Sequence, residues 1–253
     1  MFQARLQRRL RELGIYSFEE YATKLLSENG ESQEFDVLAD YISTNKTDFF
    51  REKEHFSFIA DHVLPELLKP SSITGFPQLN IWSAGCSSGQ EAYSIAITLE
   101  EFKRVKSLRF DYSIFATDIS VRMLKAVQEA IYPMSQVSEI PAEIKHRYFL
   151  KSKGINEPKV RVIKQIRDRV RLSYLNLMDD SFAFNSKFDV VFLRNTLIYF
   201  DTEIQRKVLV KVLDSLNTGA YLFIGHSESL INMNLPIQSI APSVYIKTKT
   251  DRQ

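Results

Sequence analysis

Two glycines, Gly85 and Gly89, punctuate the segment Ile81-Trp82-Ser83-Ala84-Gly85-Cys86-Ser87-Ser88-Gly89-Gln90-Glu91. The apolar run before them reads as a short strand, and the run after them reads as the start of a helix. A glycine turn between the two lets a ligand approach the backbone closely, and the helix N-terminus lies just beyond it. The next strand ends in Phe115-Ala116-Thr117-Asp118. An acid there can accept hydrogen bonds from both hydroxyls of a ribose. A dinucleotide site would carry a third glycine and a shorter gap to the acid. Glu91 would also repel a pyrophosphate. A nucleoside without phosphates but with a cationic sulfonium fits these residues better. A turn that serves only chain reversal is the plain alternative for this segment taken alone. Cys86 has no histidine near it in sequence, so it reads as a small packing residue rather than a nucleophile.

Other candidate chemistry is sparse. His55, His62, His146 and His226 show no metal-ligand spacing, so no metal is expected, and His226 reads as a support for backbone. Two basic regions stand out: Arg5, Arg8, Arg9 and Arg11, and the stretch from Lys145 to Arg171, which includes Lys159, Arg161 and Arg169. A solvated face is the simple reading of both. A docking surface for an acidic partner is the sharper one. The formal net charge of +2 gives no bulk preference for nucleic acid or membrane. A single cysteine allows no internal disulfide, which suits a reducing cytoplasm. The basic N-terminus lacks the apolar run of a secretion signal, and no stretch approaches the roughly 20 apolar residues of a membrane span. A cytoplasmic protein without membrane insertion is expected.

The elements that must position these residues follow from periodicity. Leu6, Leu10 and Leu13 predict a helix that stops at Gly14. Ser17 and Glu20 predict a capped second helix carrying Tyr21, Leu25 and Leu26 inward and ending near Gly30. A third helix is expected from Gln33 to Ile42, and a fourth from after Asp48 to Leu68. Residues 1–68 thus read as a helical subdomain, 69–78 as a linker and 79–253 as an α/β domain. Strands are expected at 80–84, 112–117, 170–174, 188–193, 220–225 and 243–247, with helices at 88–105, 120–130 and 202–216. This alternation predicts a mostly parallel sheet, its last two strands antiparallel. Residues 150–171 break the pattern and read as a small β insertion.

Several segments then resemble one family in order. They are Thr44-Asn45-Lys46-Thr47-Asp48-Phe49-Phe50-Arg51-Glu52, the run from Trp82 to Ala96, Ala116-Thr117-Asp118-Ile119, Arg194-Asn195-Thr196-Leu197-Ile198-Tyr199-Phe200-Asp201 and Gly225-His226-Ser227-Glu228-Ser229-Leu230. Together they resemble the chemotaxis receptor methyltransferases of the CheR family over nearly the full chain. The resemblance implies a Rossmann-like class I methyltransferase sheet, S-adenosylmethionine as cofactor and S-adenosylhomocysteine as product. It implies glutamyl methyl esters on chemoreceptor cytoplasmic helices, made by a protein expected to be a monomer. It places Asn45, Thr47, Arg51, Gly85, Glu91, Asp118, Asn176, Leu177 and Asn195 around the cofactor, and Tyr199 and Arg51 at the reaction centre.

A glutamate carboxylate, with a reference pKa of about 4.3, is already ionised at neutral pH. It needs no general base, so the protein's task is alignment. Two rival readings have their own signs. A nucleic-acid methyltransferase acting on amino groups usually carries an Asn/Asp-Pro-Pro-aromatic motif, and Arg194 to Tyr199 holds no proline. A non-catalytic binding module has no need for Arg51, Asp118 and Tyr199 together.

Overall fold

A computed structural model of the chain describes residues 2–26, 34, 37–38, 40–41, 45–69, 76–154, 157–231 and 233–249, with side chains described from Leu6 onward. Helix α1 (Phe2–Leu13) stops at Gly14, whose φ of +66° is a conformation glycine adopts without strain. Helix α2 (Phe18–Leu25) is capped by the Ser17 hydroxyl, which accepts the Glu20 N–H. Leu6, Leu10, Ile15, Tyr21 and Leu25 form a small core of their own. Leu26 was expected in that core and is instead 74% exposed. It is the C-cap of α2, one residue beyond the face that Tyr21 and Leu25 share. Most of the expected third helix, Gln33 to Ile42, lies outside the described residues, although Glu34, Val37, Leu38, Asp40 and Tyr41 are helical.

The fourth helix starts later than expected. Phe50 and Glu52 take φ of +54° and +55°, so helix α3 (Lys53–Phe58) begins only after this turn. It runs through a π turn at Ile59–Val63 into α4 (Leu64–Leu67). Pro65 has no N–H to return to the carbonyl four residues back, and the π turn meets it there. Phe56, Ile59, Val63 and Leu64 pack into the main core with Ile97, Phe192 and Phe223. This segment therefore shares a core with the sheet, separate from that of the first two helices.

The sheet comprises β1 (Gln78–Ala84), β2 (Asp111–Asp118), β6 (Val170–Tyr174), β7 (Phe188–Leu193), β8 (Leu216–Ile224), β9 (Ile237–Ala241) and β10 (Val244–Lys247), in the order β6-β2-β1-β7-β8-β10-β9. The pairs β1·β2, β1·β7, β2·β6 and β7·β8 are parallel, while β10 runs antiparallel to β8 and β9. Helix α5 (Gln90–Lys106) follows β1 and α6 (Val121–Glu129) follows β2. The chain leaves β1 toward β6 and returns to β7 on the other side. That reversal beside β1 is the topological switch point, where open α/β sheets bind ligands at their strand C-termini.

A second, three-stranded antiparallel sheet has the order β3-β5-β4, with β3 (Ile131–Pro133), β4 (Phe149–Lys151) and β5 (Lys159–Val162). Helix α7 (Ala142–Tyr148) leads into β4. The expected insertion of 150–171 thus starts earlier and ends earlier. Short strands and a one-strand contribution from residue 131 left little periodicity to read, and Val170 already belongs to the main sheet. Helix α8 (Lys164–Arg167) joins the two sheets, and helix α9 (Thr202–Asp214) connects β7 to β8.

Candidate active site

A cavity of about 560 Å³ opens at the switch point, within the roughly 300–1,000 Å³ usual for small-molecule sites. Gly85 and Ser87 reach it from the turn after β1, and Asp118 from the end of β2. Asn176 and Leu177 reach it from the segment after β6, and Asn195 and Tyr199 from the segment after β7. Asn45, Thr47 and Arg51 close it from the segment before α3. The cavity therefore brings together all ten residues assigned to cofactor and chemistry.

The turn is built for close approach. Gly85 has φ +76°, and a Cβ there would meet Thr196 Oγ1 at 2.7 Å. Gly89 has φ +96°, and a Cβ there would meet Val127 at 2.9 Å. Asp118 braces the turn, accepting the Ser87 N–H on Oδ2 at 2.8 Å and the Ser120 N–H on Oδ1 at 2.9 Å. Each oxygen keeps a lone pair for a ligand hydroxyl. Burial pushes the Asp118 carboxyl above its ordinary range, and these two N–H donors oppose the rise. Asn45 Nδ2 is buried in the structure without an acceptor, a donor left for a ligand to satisfy.

Charge at the cavity centre is paired. Arg194 has a side chain only 2% exposed and pairs with Glu52 at 3.0 Å and Glu91 at 3.4 Å. Its Nη2 also donates to the Arg51 carbonyl. Glu91 Oε1 accepts the Ser83 hydroxyl at 2.6 Å. Burial holds the Glu91 carboxyl above the usual range, with Arg194 pulling it down. Burial opposes ionisation of Glu52 too, yet Arg194 and the His226 N–H hold its carboxyl below the ordinary value. Burial, with Asp118 and Glu91 nearby, drives the Cys86 thiol well above its usual pKa, so it stays protonated and inert.

Reasoning from sequence assigned no role to Arg194, Glu52 or Glu228, although all three lie in the quoted motifs. The Glu228 carboxylate accepts the backbone N–H groups of Asn195, Leu197, Ile198 and Gly225. It thereby fixes the backbone that presents Asn195 and Tyr199. An acid three residues after a glycine was the available signal, but three of its four partners lie 30 to 33 residues upstream.

The docking residues divide. Lys159 and Arg161 are exposed on β5, and Arg8 is exposed on α1. Arg9 is a correction: it is bound bidentately by Glu34 at 2.9 and 2.6 Å and is largely buried. Arg169 is a second, being paired with Asp111 and set 5.1 Å from the centre of the Tyr112 ring. Both cations tie elements of the fold together. The Arg5 side chain lies outside the described residues.

Strand order, glycine turn and strand-end acid define a class I methyltransferase fold with a nucleoside-type cofactor site. Residues 45–246 match the CheR methyltransferase, SAM binding domain model. The chain is 37% identical over 247 residues to the chemotaxis protein methyltransferase of Borreliella burgdorferi, covering 98% of this chain and 86% of that protein. It is 36% identical to chemotaxis protein methyltransferase 2 of Pseudomonas aeruginosa, covering 96% and 82%. With the Escherichia coli chemotaxis protein methyltransferase it shares 33% identity, covering 98% and 83%. The chain belongs to the CheR methyltransferase family.

Proposed function

We propose that this methyltransferase esterifies glutamate side chains on the cytoplasmic helices of chemoreceptors and so serves adaptation in chemotaxis. The observation that carries the reading is the make-up of the cavity: Arg51 and Tyr199 reach one space from segments far apart in the chain, beside the glycine turn, and none of the lining residues is a histidine. Cys86 stays protonated, and Glu91 and Asp118, the lining carboxyls that burial raises, are held by Arg194 and Ser83 and by the Ser87 and Ser120 N–H groups. Such a site suits a nucleophile that is already an anion.

The residues fit S-adenosylmethionine. Asp118 would hold the ribose, Asn176 and Leu177 would flank the adenine, and Glu91, Asn45 and Thr47 would hold the amino-acid end. When bound, the cofactor supplies an electrophilic methyl group on a sulfonium leaving group. Arg51 binds and orients a carboxylate through its guanidinium. Tyr199 directs its hydroxyl to the same carboxylate. Asn195 borders the reaction centre on a backbone held by Glu228. Walls of Phe56, Leu175 and Phe200 keep water from the reacting atoms, which favours a step that neutralises opposite charges.

Arg8, Lys159 and Arg161 supply exposed cations for an acidic helix bundle. Among the described residues no helix is long and apolar enough to cross a membrane. The deciding experiment is transfer of labelled methyl to receptor-containing membranes followed by mild alkali. Release of labelled methanol marks an ester; label that resists alkali would overturn the reading.

A further inference from the structure

Folding gathers three ligating side chains that sequence spacing does not pair. Glu52 precedes α3, His55 lies in its first turn, and His226 follows β8. One ligand atom from each lies within 4.8 Å of the other two. His55 is only 2% exposed, and neither of its ring nitrogens has a hydrogen-bond partner. Its Nδ1 stands 3.5 Å from Glu52 Oε2, beyond a good hydrogen bond. The ring of His226 lies edge-on to it with centroids 4.9 Å apart. A buried, unpartnered imidazole beside a carboxylate and a second imidazole supplies three of the four positions of a tetrahedral metal site.

We propose that Glu52, His55 and His226 form a site for one divalent transition-metal ion, with Zn²⁺ the best match, clipping the start of α3 to the segment after β8. Two imidazoles and a carboxylate suit Zn²⁺, with water completing a tetrahedron. Bonds of about 2.0–2.2 Å put neighbouring ligand atoms roughly 3.3 Å apart, so the cluster must contract. His226 is exposed and has room to turn inward. Arg194 is the opposing charge. It engages Glu52 through Oε2, whereas Oε1 receives only long contacts, from Asn195 Nδ2 at 3.5 Å and the His226 N–H at 3.3 Å. Oε1 is therefore the oxygen open to an ion. Arg194 keeps Glu91 and the Arg51 carbonyl as its other anchors. The ion would not take part in methyl transfer. It would lock the N-terminal segment onto the sheet.

The test uses chelator-stripped full chain titrated with ZnCl₂ by calorimetry, a readout independent of methyl transfer. One equivalent should bind, and His226→Ala and His55→Gln should each weaken binding at least tenfold. Because His226 is exposed, its variant keeps the test open should His55→Gln fail to fold. His146→Ala and Cys86→Ser should bind as the wild type does. X-ray absorption at the zinc edge should show imidazole nitrogen and oxygen without sulfur. Absence of saturable binding below millimolar ZnCl₂ would overturn the site. So would wild-type affinity in His226→Ala, an equal loss in His146→Ala, or sulfur in the coordination shell.

Discussion

Glu228 accepts the backbone N–H of Asn195 at 2.9 Å, and Asn195 sits at φ +55°, in the left-handed region. Left-handed backbone is costly for most side chains, though asparagine is among the more tolerant. One buried carboxylate offsets that cost by binding four N–H groups, among them Leu197 at 2.7 Å and Gly225 at 2.6 Å. Glu228→Gln replaces an acceptor oxygen with an NH₂ that faces donors. Methyl transfer should fall at least tenfold, since one lost charged hydrogen bond is worth about 1.5–3 kcal/mol. The turn after β1 and Asp118 are untouched, so product affinity should change less than the rate. Steady-state kinetics and calorimetry on the same preparation separate the two. Unchanged kcat would show that the backbone holds without the clamp.

Asp118 braces Ser87 and Ser120, and in the proposed site it also offers its remaining lone pairs to a ribose. Asp118→Ala removes both. It should weaken S-adenosylhomocysteine binding by ten- to a hundredfold, from hydrogen bonds each worth on the order of 1 kcal/mol. Asp118→Asn keeps the shape and should lie between. Calorimetric titration of both variants settles the ribose role, and wild-type affinity in the alanine variant would remove it.

Glu91 gives a pH prediction with a definite sign. Burial raises its folded-state pKa above the unfolded value, so the folded protein holds this proton more readily than the unfolded chain. Its stability contribution is then fully present below the ordinary carboxylate range and is lost as pH rises through the raised value. Compared with Glu91→Gln, the unliganded wild type should gain stability as pH falls through the raised value toward the ordinary carboxylate range. Affinity for the ammonium-bearing product should fall over the same window, because the ligand needs the charged form. Denaturant unfolding and calorimetry at stepped pH test both slopes. Parallel slopes would contradict the assignment.

Much of the scaffold was legible because its signals are local. The strands at 170–174 and 188–193, the capped second helix and the Gly85 turn each announce themselves within a few residues. The residues that line the cavity were legible through ordered motifs. What sequence did not give is long-range pairing. Arg194 meets Glu52 and Glu91 from distant segments, and Glu228 reaches back to the end of β7. Arg9 and Arg169 read as docking cations because their partners, Glu34 and Asp111, are not neighbours in the chain. Strands as short as β3 carry too few residues for a period.

That division of the cations yields a further prediction. Lys159→Glu with Arg161→Glu reverses charge on the exposed face of β5, the central strand of the small sheet. The KM for receptor should rise and the salt sensitivity of the reaction should shrink, as the Debye length falls from about 10 Å at 0.1 M to about 3 Å at 1 M. Thermal stability should stay near that of the wild type. Arg169→Glu should act differently, placing like charge against Asp111 and lowering Tm. A receptor KM that stays flat in the double variant across salt would discard this docking surface.

In the proposed mechanism Tyr199 and Arg51 divide the reaction centre between them. Tyr199 is 56% exposed at the cavity rim in a short 3₁₀ turn, Leu197–Tyr199. Arg51 reaches the same space from the segment before α3, its Nη1 resting on the Lys46 carbonyl at 3.0 Å. That contact is with a neutral acceptor, so the guanidinium keeps further donors for a carboxylate. Tyr199→Phe removes one orienting hydroxyl and nothing that the fold relies on. Single-turnover transfer should slow by roughly tenfold to a hundredfold, the equivalent of about 1.4–2.7 kcal/mol, with Tm unchanged. Arg51→Ala should cost more, because it leaves a carboxylate without its counter-charge in a site partly closed to water. Neither residue accepts a proton, so the pH–rate profile should show no base near neutrality in the wild type or either variant. Only substrate carboxylates should titrate, in the acidic range. A wild-type rate in Tyr199→Phe would reduce Tyr199 to a wall of the cavity. A new inflection near pH 7 in the wild type would mean that the nucleophile arrives protonated, and alignment alone would no longer account for the reaction.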